Sequence, residues 1–357
     1  MLNAKQFAGG IGMTEKNRRR MGIALAAAAL CLNYIPVREG AVRPSFAEEK
    51  HSAQRVLIPG GQAVGVALKT QGVLVVAKTD EAEKKTPLRA GDVIVSVTGE
   101  RVSSAAELAE QVNRSAQDSV ELCVVRGGKE MTMQAAASAD SADGKRRLGV
   151  WVRDSTAGVG TLSYIDPKTH AYGALGHAIV DGDTGNLLQV KDGVIMHSRV
   201  VGVNKGVSGR AGELRGSFLK ENQQIGSLTL NCERGIYGHM DELPKDLLYP
   251  EGLPVALRSE IHPGEATIIS TVDEDGPKTY SVEIVRCFLK GDSDGKDMIL
   301  RVTDPALLQK TGGIVQGMSG SPIIQDGKLV GAVTHVLVND PTRGYGIFIE
   351  NMLEAAE

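Results

Sequence analysis

The stretch that decides the fold is GGIVQGMSGSPIIQDGKLVGAVTH, which spans residues 312–335. Its turn at residues 317–322 is followed directly by an apolar strand, an Asp326-Gly327 hairpin and a second apolar strand. Glycines around Ser319 permit the backbone angles of a tight turn that exposes a hydroxyl group. The same turn can direct the amides of Gly317 and Ser319 at one point, as an oxyanion hole requires. The pattern predicts a serine nucleophile in a mainly β domain.

A serine hydroxyl is a weak nucleophile and needs a general base. His177 lies between small and apolar residues after a β-like segment, where an imidazole can sit at the bottom of a cleft. Two other histidines remain candidates for the base: His197 and His335. The carboxylate that orients the base is predicted at Asp304, where a strand ends before a proline. Three other aspartates remain candidates for this role: Asp181, Asp183 and Asp340.

The 357 residues suffice for about two domains, and 42% hydrophobic with 23% charged residues is typical of a globular protein. The net charge of -3 gives no general attraction for nucleic acid. The four cysteines form no CxxC pair, and no phosphate-binding or nucleotide motif is present. We therefore expect protein substrates, with no cofactor, no metal and no nucleic-acid partner.

The N-terminus has the pattern of an export signal. A basic segment that ends at Arg20 precedes an apolar run at residues 21–32. We predict a signal or membrane anchor at residues 1–37 and a polar tether at residues 38–56. By the positive-inside rule, the rest of the chain lies outside the cytosol.

A small domain is predicted at residues 57–137. Its pattern Leu-x-Ala-Gly-Asp-x-Ile-x-x-Val-x-Gly-x-x-Val at residues 88–102 precedes a helix that carries Leu108 and Val112, with Ser104 as its cap. This pattern resembles a PDZ domain, which binds an extended peptide along a sheet edge. The backbone predicted to receive the peptide is that of Gly61, Gln62, Ala63, Val64 and Gly65.

Residues 138–148 are polar and small and predict a linker, which leaves residues 149–357 for the peptidase domain. The order of anchor, PDZ domain and C-terminal serine peptidase resembles the stage IV sporulation protein B peptidase family. Three motifs carry the resemblance: ALGHAI at 174–179, GMSGSP at 317–322 and GAVTHVLVNDPTRGYGIFIE at 331–350.

The resemblance implies a triad of His177, Asp304 and Ser319, in the order of the trypsin-like clan. It also implies a fold of two β-barrels with the site between them. We therefore expect a mainly β chain with a small α+β PDZ domain followed by a double-barrel peptidase.

The family further implies export into the space between the two membranes around the forespore, and self-cleavage within residues 38–56. The released enzyme would cleave a membrane-bound regulatory complex, so that an intramembrane protease can mature a mother-cell sigma factor. The PDZ domain would guide recognition of the substrate and of the protein itself. Two alternatives remain, an envelope quality-control protease of the HtrA type and a PDZ peptide-binding protein with an inactive peptidase-like domain.

Overall fold

The computed structural model describes residues 55–80, 82, 86–115, 117–140, 143–218, 224–289 and 295–357. The predicted anchor, residues 1–37, and the predicted self-cleavage region as far as residue 54 lie outside these residues. Within the described ranges, no helix combines the length and the apolar character that a bilayer crossing requires.

Strands dominate the described chain. In its first half they are β1 (Val56–Pro59), β2 (Ala63–Lys78), β3 (Val93–Val97), β4 (Glu100–Arg101), β5 (Ser119–Arg126), β6 (Lys129–Ala136), β7 (Ser138–Ala139), β8 (Arg146–Arg147), β9 (Val150–Ile165) and β10 (Ala171–Ala174). In its second half they are β11 (Val190–Asn204), β12 (Glu213–Phe218), β13 (Gln224–Cys232), β14 (Gly235–Met240), β15 (Leu253–Pro254), β16 (Gly264–Ser270), β17 (Lys278–Cys287), β18 (Met298–Val302), β19 (Pro322–Gln325), β20 (Lys328–Val336) and β21 (Arg343–Phe348). The helices are α1 (Ala105–Arg114), α2 (Pro305–Thr311) and α3 (Ile349–Ala356), with a 3₁₀ turn at Arg258–Glu260.

A closed ring of strands forms the first half of the peptidase. In the part of the chain that the structure describes, its order is β9–β10–β14–β13–β11–β2, and the pairing of β2 with β9 closes it. Apolar side chains that alternate along these strands fill the ring, among them Leu162, Ile195 and Ile236. Burial of this apolar surface is the main force that holds the ring together.

A second ring follows in the order β16–β17–β18–β21–β20–β19 and is also closed. Its core includes Ile268, Leu300, Val333 and Phe348, each fully buried. The two rings confirm the predicted fold class, a mainly β chain whose peptidase consists of β-barrels.

The second half of β2 belongs to a smaller sheet with β3, β5 and β6, and α1 packs against this sheet. The predicted helix start is confirmed, since the Ser104 side chain accepts the Glu107 amide at 3.1 Å. Leu108 and Val112 lie four residues apart and are buried on one face of the helix, as predicted. This sheet and helix agree with the predicted PDZ domain.

One strand joins the two domains. The sequence predicts two separate β segments at residues 65–68 and 72–77, but β2 is continuous from Ala63 to Lys78. Its first half pairs with β9 and β11 in the first ring, and its second half pairs with β3 and β9 beside the PDZ core. At the predicted break the strand does not end, but its pairing register with β9 shifts between Lys69 and Leu74.

This continuity corrects the predicted peptide-binding residues Gly61, Gln62, Ala63, Val64 and Gly65. Val64 pairs with Gly160 on one side and with His197 on the other, so no edge of the strand is open there. The amide of Gly61 donates to Leu162 at 2.8 Å, and the Gln62 side chain donates to Asp246. A peptide therefore has no open backbone to pair with at these residues.

The predicted linker contains structure as well. Its ends pair as β7 and β8, and Leu148 is buried in the PDZ core. Val150 and Val152, at the start of β9, pack against the same core. The first residues of the peptidase's longest strand are therefore also part of the PDZ packing.

Candidate active site

The turn that carries Ser319 depends on glycine at two positions. Gly317 and Gly320 have φ angles of 95° and 98°, a region that disfavours other residues. A Cβ at Gly320 would lie 2.0 Å from the carbonyl oxygen of Thr161, so only glycine fits there. Met318 between them is fully buried and anchors the turn in the second ring. The sequence pattern thus produces the predicted tight turn.

Strand β9 holds this turn from the first ring. The Thr161 amide donates to the carbonyl of Ser319 at 3.0 Å, and the Thr161 hydroxyl donates to the carbonyl of Gly317 at 2.8 Å. Both carbonyls therefore face β9. Among the described residues, the amides of Gly317 and Ser319 have no hydrogen-bond acceptor, which is what the predicted oxyanion hole requires.

The Ser319 hydroxyl is half-buried, and it donates to the carbonyl of Thr334 at 2.7 Å. Thr334 is held in turn, since its own hydroxyl donates to the carbonyl of Gly295 at 2.9 Å. A backbone carbonyl cannot remove a proton, so the hydroxyl must rotate toward an imidazole to become a nucleophile.

His177 lies beside this turn because β10 ends there. The amide of Leu175, just after β10, donates to the carbonyl of Thr161, the residue that also holds Ser319. His177 Nδ1 lies 2.9 Å from the carbonyl oxygen of Ala178, which can only accept. Nδ1 therefore carries the proton, and Nε2 keeps the lone pair that a general base needs. Burial lowers the pKa of His177, although the Ala178 bond opposes the shift.

A second imidazole stands against the first. The rings of His177 and His335 are 4.9 Å apart between centroids, and His335 follows directly on Thr334, the acceptor of the serine hydroxyl. Burial, with smaller contributions from the charges of His177 and Lys296, lowers the pKa of His335 to about 4. Its Nδ1 is buried and has no hydrogen-bond partner in the described part of the chain. The structure thus brings Ser319, His177 and His335 together.

Asp304 is occupied elsewhere. Its carboxylate caps α2 by accepting the amides of Ala306 and Leu307, both at 2.9 Å, and it also accepts the amide of Ser281 at 3.3 Å. The structure does not bring Asp304 into contact with His177.

The other candidate residues have different partners as well. Asp181 and Asp183 pair with Arg153, and Asp340 binds Thr342 and Arg343. His197 is exposed on β11. Among the described residues, no carboxylate contacts the His177 ring.

Sequence reasoning did not single out Asn231. This buried side chain accepts the amide of Ile179 and donates to the carbonyls of Ile179 and Leu188, all at 2.8 Å. It therefore fixes the segment that follows His177. The only signal in the sequence is a lone amide side chain at the end of an apolar strand, which is a weak one.

These contacts describe a hydroxyl, an imidazole with an available nitrogen, and two amides that have no acceptor in the described part of the chain. Such an arrangement can transfer an acyl group from a peptide to the serine. The site lies where the first ring, through β9 and β10, meets the second ring at β19 and β20.

Comparison with protein-family models identifies two regions. Residues 144–353 match the family described as SpoIVB peptidase S55, and residues 59–136 match the PDZ domain family. A comparison with curated protein sequences found no significant match.

Solved structures resemble separate parts of the chain. The PDZ domain of an SdrC-like protein from Listeria monocytogenes is 22% identical, with coverage of 23% of this chain and 87% of that one and a TM-score of 0.20. The active form of the Rv3671c protease from M. tuberculosis is 12% identical, with coverage of 56% and 72% and a TM-score of 0.31. Its inactive form is 11% identical, with coverage of 55% and 81% and a TM-score of 0.32.

Proposed function

We propose that Ser319 and His177 carry the reaction of this chain, which belongs to the SpoIVB peptidase S55 family and is a serine peptidase with a PDZ domain. The observation that supports this assignment most is the turn at Ser319, where two amides have no acceptor among the described residues and the hydroxyl donates to Thr334. Thr334 directly precedes His335, whose ring lies against that of His177.

The reaction begins when the Ser319 hydroxyl leaves the Thr334 carbonyl and donates to Nε2 of His177. His177 removes the proton as Oγ attacks a peptide carbonyl carbon. The amides of Gly317 and Ser319 bind the oxyanion that forms, and each such donor typically lowers the barrier by about 3–4 kcal/mol. His177 then gives its proton to the leaving amine, and water hydrolyses the acyl-enzyme by the same route in reverse.

Neighbouring residues in the fold hold the His177 imidazole in its orientation. The carbonyl of Ala178 selects the tautomer, and the neutral ring of His335 supports the imidazole from the side. Asn231 holds the following residues in place. The role of Asp304 as the orienting acid, implied by the family resemblance, stays a prediction that a substitution can test.

The wider role is also proposed. The enzyme is exported and held by residues 1–37, releases itself by cleavage within residues 38–56, and cleaves a membrane-bound regulatory complex. That cleavage allows an intramembrane protease to mature a mother-cell sigma factor. Family membership and the basic-apolar N-terminus support this role. The HtrA alternative is disfavoured because that family has its peptidase before its PDZ domain, opposite to the order here.

Labelling with a serine-reactive phosphonate, followed by peptide mapping, tests the assignment. We expect one modified residue, Ser319, and loss of labelling in Ser319→Ala and His177→Ala. Ser321→Ala is the matched control, because Ser321 is a buried serine two residues away that the mechanism does not use. Modification outside residues 317–322, or equal labelling of Ser319→Ala, would contradict the assignment.

The biological role needs its own experiment. Full-length wild-type protein and Ser319→Ala, each expressed alone in a heterologous host, are compared by N-terminal sequencing. We expect trimming within residues 38–56 only for the wild type. Identical trimming of both proteins would show that another protease does the cleavage and would refute self-release.

A further inference from the structure

The two amides of the oxyanion hole are directed by different parts of the chain. A trans peptide is planar, so its carbonyl and its N–H point in opposite directions. Every peptide bond in the described part of the chain is trans. The direction of the Gly317 amide is therefore set by the group that binds the carbonyl of Gln316, and the direction of the Ser319 amide by the group that binds the carbonyl of Met318.

The Ser319 amide is directed from within the turn. The carbonyl of Met318 accepts the amide of Ser321 at 3.0 Å, and the Met318 amide donates to the carbonyl of Val315 at 3.1 Å. The Met318 side chain is fully buried and holds the turn in the core. Because these bonds join residues close together in the sequence, the turn by itself is sufficient to direct this amide.

The Gly317 amide is directed from the other half of the peptidase. The carbonyl of Gln316 accepts the amide of Leu214, in β12, at 2.8 Å. The Gln316 amide donates in turn to the carbonyl of Gly212 at 2.9 Å. Among the described residues, no second donor reaches the Gln316 carbonyl. A strand that lies far away in the sequence therefore sets the direction of this oxyanion donor.

The Leu214 side chain packs on the same peptide. Leu214 is 3% exposed and belongs to the buried cluster that contains Val315 and Met318. A Cβ on Gly317 would lie 3.0 Å from the Cβ of Leu214, so the two residues are in direct contact. The side chain shields the bond between Leu214 and Gln316 from water, and a backbone group that loses such a bond without water to replace it is destabilised.

The hairpin that presents Leu214 contacts the second ring on both sides of the catalytic turn. Its arms are β11 and β12, and residues 205–212 connect them. In this connection, the Gly206 amide donates to the carbonyl of Thr311 and the Gly209 amide donates to the carbonyl of Val338, both at 2.9 Å. Thr311 precedes the turn in the sequence and Val338 follows it. The hairpin is therefore held against the second ring independently of the bond to Gln316.

The close approach of the hairpin depends on small residues. A Cβ at Gly212 would lie 2.3 Å from the amide nitrogen of Gly206, and a Cβ at Gly312 would lie 2.4 Å from the carbonyl oxygen of Gly206. Any other residue at these two positions would push the backbones apart. The sequence thus allows the hairpin to lie directly against the segment that leads into the turn.

We propose that Leu214 is a positioning residue for the reaction, because its amide holds the Gln316–Gly317 peptide with the Gly317 N–H toward the oxyanion. The first ring thereby directs one oxyanion donor through the β11–β12 hairpin, and the turn at Ser319 directs the other. This inference rests on the proposed function, since it takes the amides of Gly317 and Ser319 as the groups that bind the oxyanion.

The loss of the Leu214 amide has a defined consequence. Rotation of the Gln316–Gly317 peptide changes ψ of Gln316 and φ of Gly317, and glycine tolerates a wide range of φ. A rotated peptide turns its carbonyl toward the oxyanion and repels the negative charge. We expect kcat to fall by no more than the 10²- to 10³-fold typical of one lost donor, roughly, because Met318 still directs the Ser319 amide.

A pair of variants isolates this amide. Leu214→Pro and Leu214→Ala both remove the packing of the leucine side chain, but only Leu214→Pro removes the N–H. The Leu214 amide points toward Gln316 and away from β11, so proline removes no bond between the arms of the hairpin. Circular dichroism checks the fold. Replacement of Leu214 by leucic acid is the second variant, because its ester oxygen removes the N–H and keeps the side chain.

Hydrolysis of a fluorogenic peptide and inhibition by a peptide boronic acid measure the effect. The tetrahedral boronate places an oxygen in the oxyanion hole, whereas KM reports binding of the ground state when chemistry is slow. We expect kcat of Leu214→Pro to lie at least about tenfold below that of Leu214→Ala, with KM within about twofold and with boronate affinity reduced at least about tenfold. The leucic acid protein should show the same differences from the wild type.

The outcomes separate this inference from the proposed function. Equal kcat and equal boronate affinity in the leucic acid protein and the wild type would overturn the role of Leu214 and leave the serine peptidase assignment intact. A higher KM at unchanged kcat would also overturn it, because Leu214 would then act in substrate binding. A wild-type enzyme that neither hydrolyses the peptide nor reacts with the phosphonate would refute the function itself.

Discussion

Two glycine-containing segments of this chain look alike in sequence and differ in the fold. Residues 60–65 and residues 317–320 both suggest exposed backbone amides. In the first segment the amides of Gly60 and Gly61 donate to the carbonyls of Ser163 and Leu162. In the second, the amides of Gly317 and Ser319 have no acceptor among the described residues. Glycine in the sequence thus indicates a tight turn of the backbone. Whether the amides of that turn are free to bind a ligand depends on strands that are distant in sequence.

The largest expected effect concerns the nucleophile Ser319, in the segment at residues 317–320. Ser319→Ala removes the attacking oxygen, and we expect kcat to fall by roughly 10⁴- to 10⁶-fold. Hydrolysis of a fluorogenic peptide measures the loss. We expect Ser321→Ala to stay within about threefold of wild type, because the buried Ser321 hydroxyl has no hydrogen-bond partner among the described residues and the mechanism does not use it. A Ser319→Ala enzyme with more than a tenth of the wild-type rate would remove this turn from the mechanism.

The next effect concerns the amides of the same turn. Gly317→Ala adds a Cβ at 3.0 Å from the Cβ of Leu214, at a φ angle of 95°. The turn must shift, so we expect kcat to fall by roughly 10²- to 10³-fold, the usual effect of losing one oxyanion donor. Circular dichroism checks that the variant is folded. An unchanged kcat in the folded variant would contradict the placement of the oxyanion hole.

The corresponding glycine substitution in residues 60–65 is expected to give a different result. Gly61→Ala adds a Cβ that would lie 2.3 Å from Cγ2 of Ile269, at a φ angle of 107°. We expect the free energy of unfolding to fall by about 1–3 kcal/mol through overpacking, with kcat per folded molecule little changed. Urea unfolding and active-site titration measure the two quantities. A variant with wild-type stability and lost peptide binding would restore residues 60–65 as a binding site.

Acid is expected to lower the free energy of unfolding through the two histidines near the turn at Ser319. The pKa values of His177 and His335 lie below the ordinary value, so the folded protein binds fewer protons than the unfolded chain. Between about pH 6.5 and pH 4, the free energy of unfolding therefore falls as the pH falls. Urea unfolding at several pH values measures this slope. His335→Asn, which cannot titrate there, is expected to reduce it, and an unchanged slope would contradict the burial of this ring.

The smallest expected effect concerns Asp304. Asparagine caps helices about as well as aspartate, so Asp304→Asn keeps the start of α2. If capping is its only role, kcat/KM stays within about twofold of wild type, as the geometry indicates. An orienting carboxylate would give a loss of roughly 10⁴-fold instead. Steady-state kinetics at neutral pH thus decide between the structure and the family resemblance for this residue.

The sequence predicts features that depend on neighbouring residues. The turn at Ser319, the Asp326-Gly327 hairpin and the cap at Ser104 each follow from short patterns, and the structure contains all three. Their geometry is set by local dihedral preferences and by hydrogen bonds that span a few residues.

Features that depend on distant partners are not accessible in the same way. The pairing of β2 with β9 and the contact between His177 and His335 join segments separated by about 70 to 160 positions. Asp304 illustrates the same limit, because an Asp-Pro pair at the end of a strand fits a helix cap and a catalytic acid equally well.

A crystal structure of the phosphonate adduct tests the central claim most directly. We predict phosphorus bonded to Oγ of Ser319, with one phosphoryl oxygen about 2.7–3.1 Å from the amides of Gly317 and Ser319. His177 should lie within hydrogen-bonding distance of the leaving-group side of the adduct. An adduct on another residue, or amides of this turn that point away from the phosphoryl oxygen, would contradict the account.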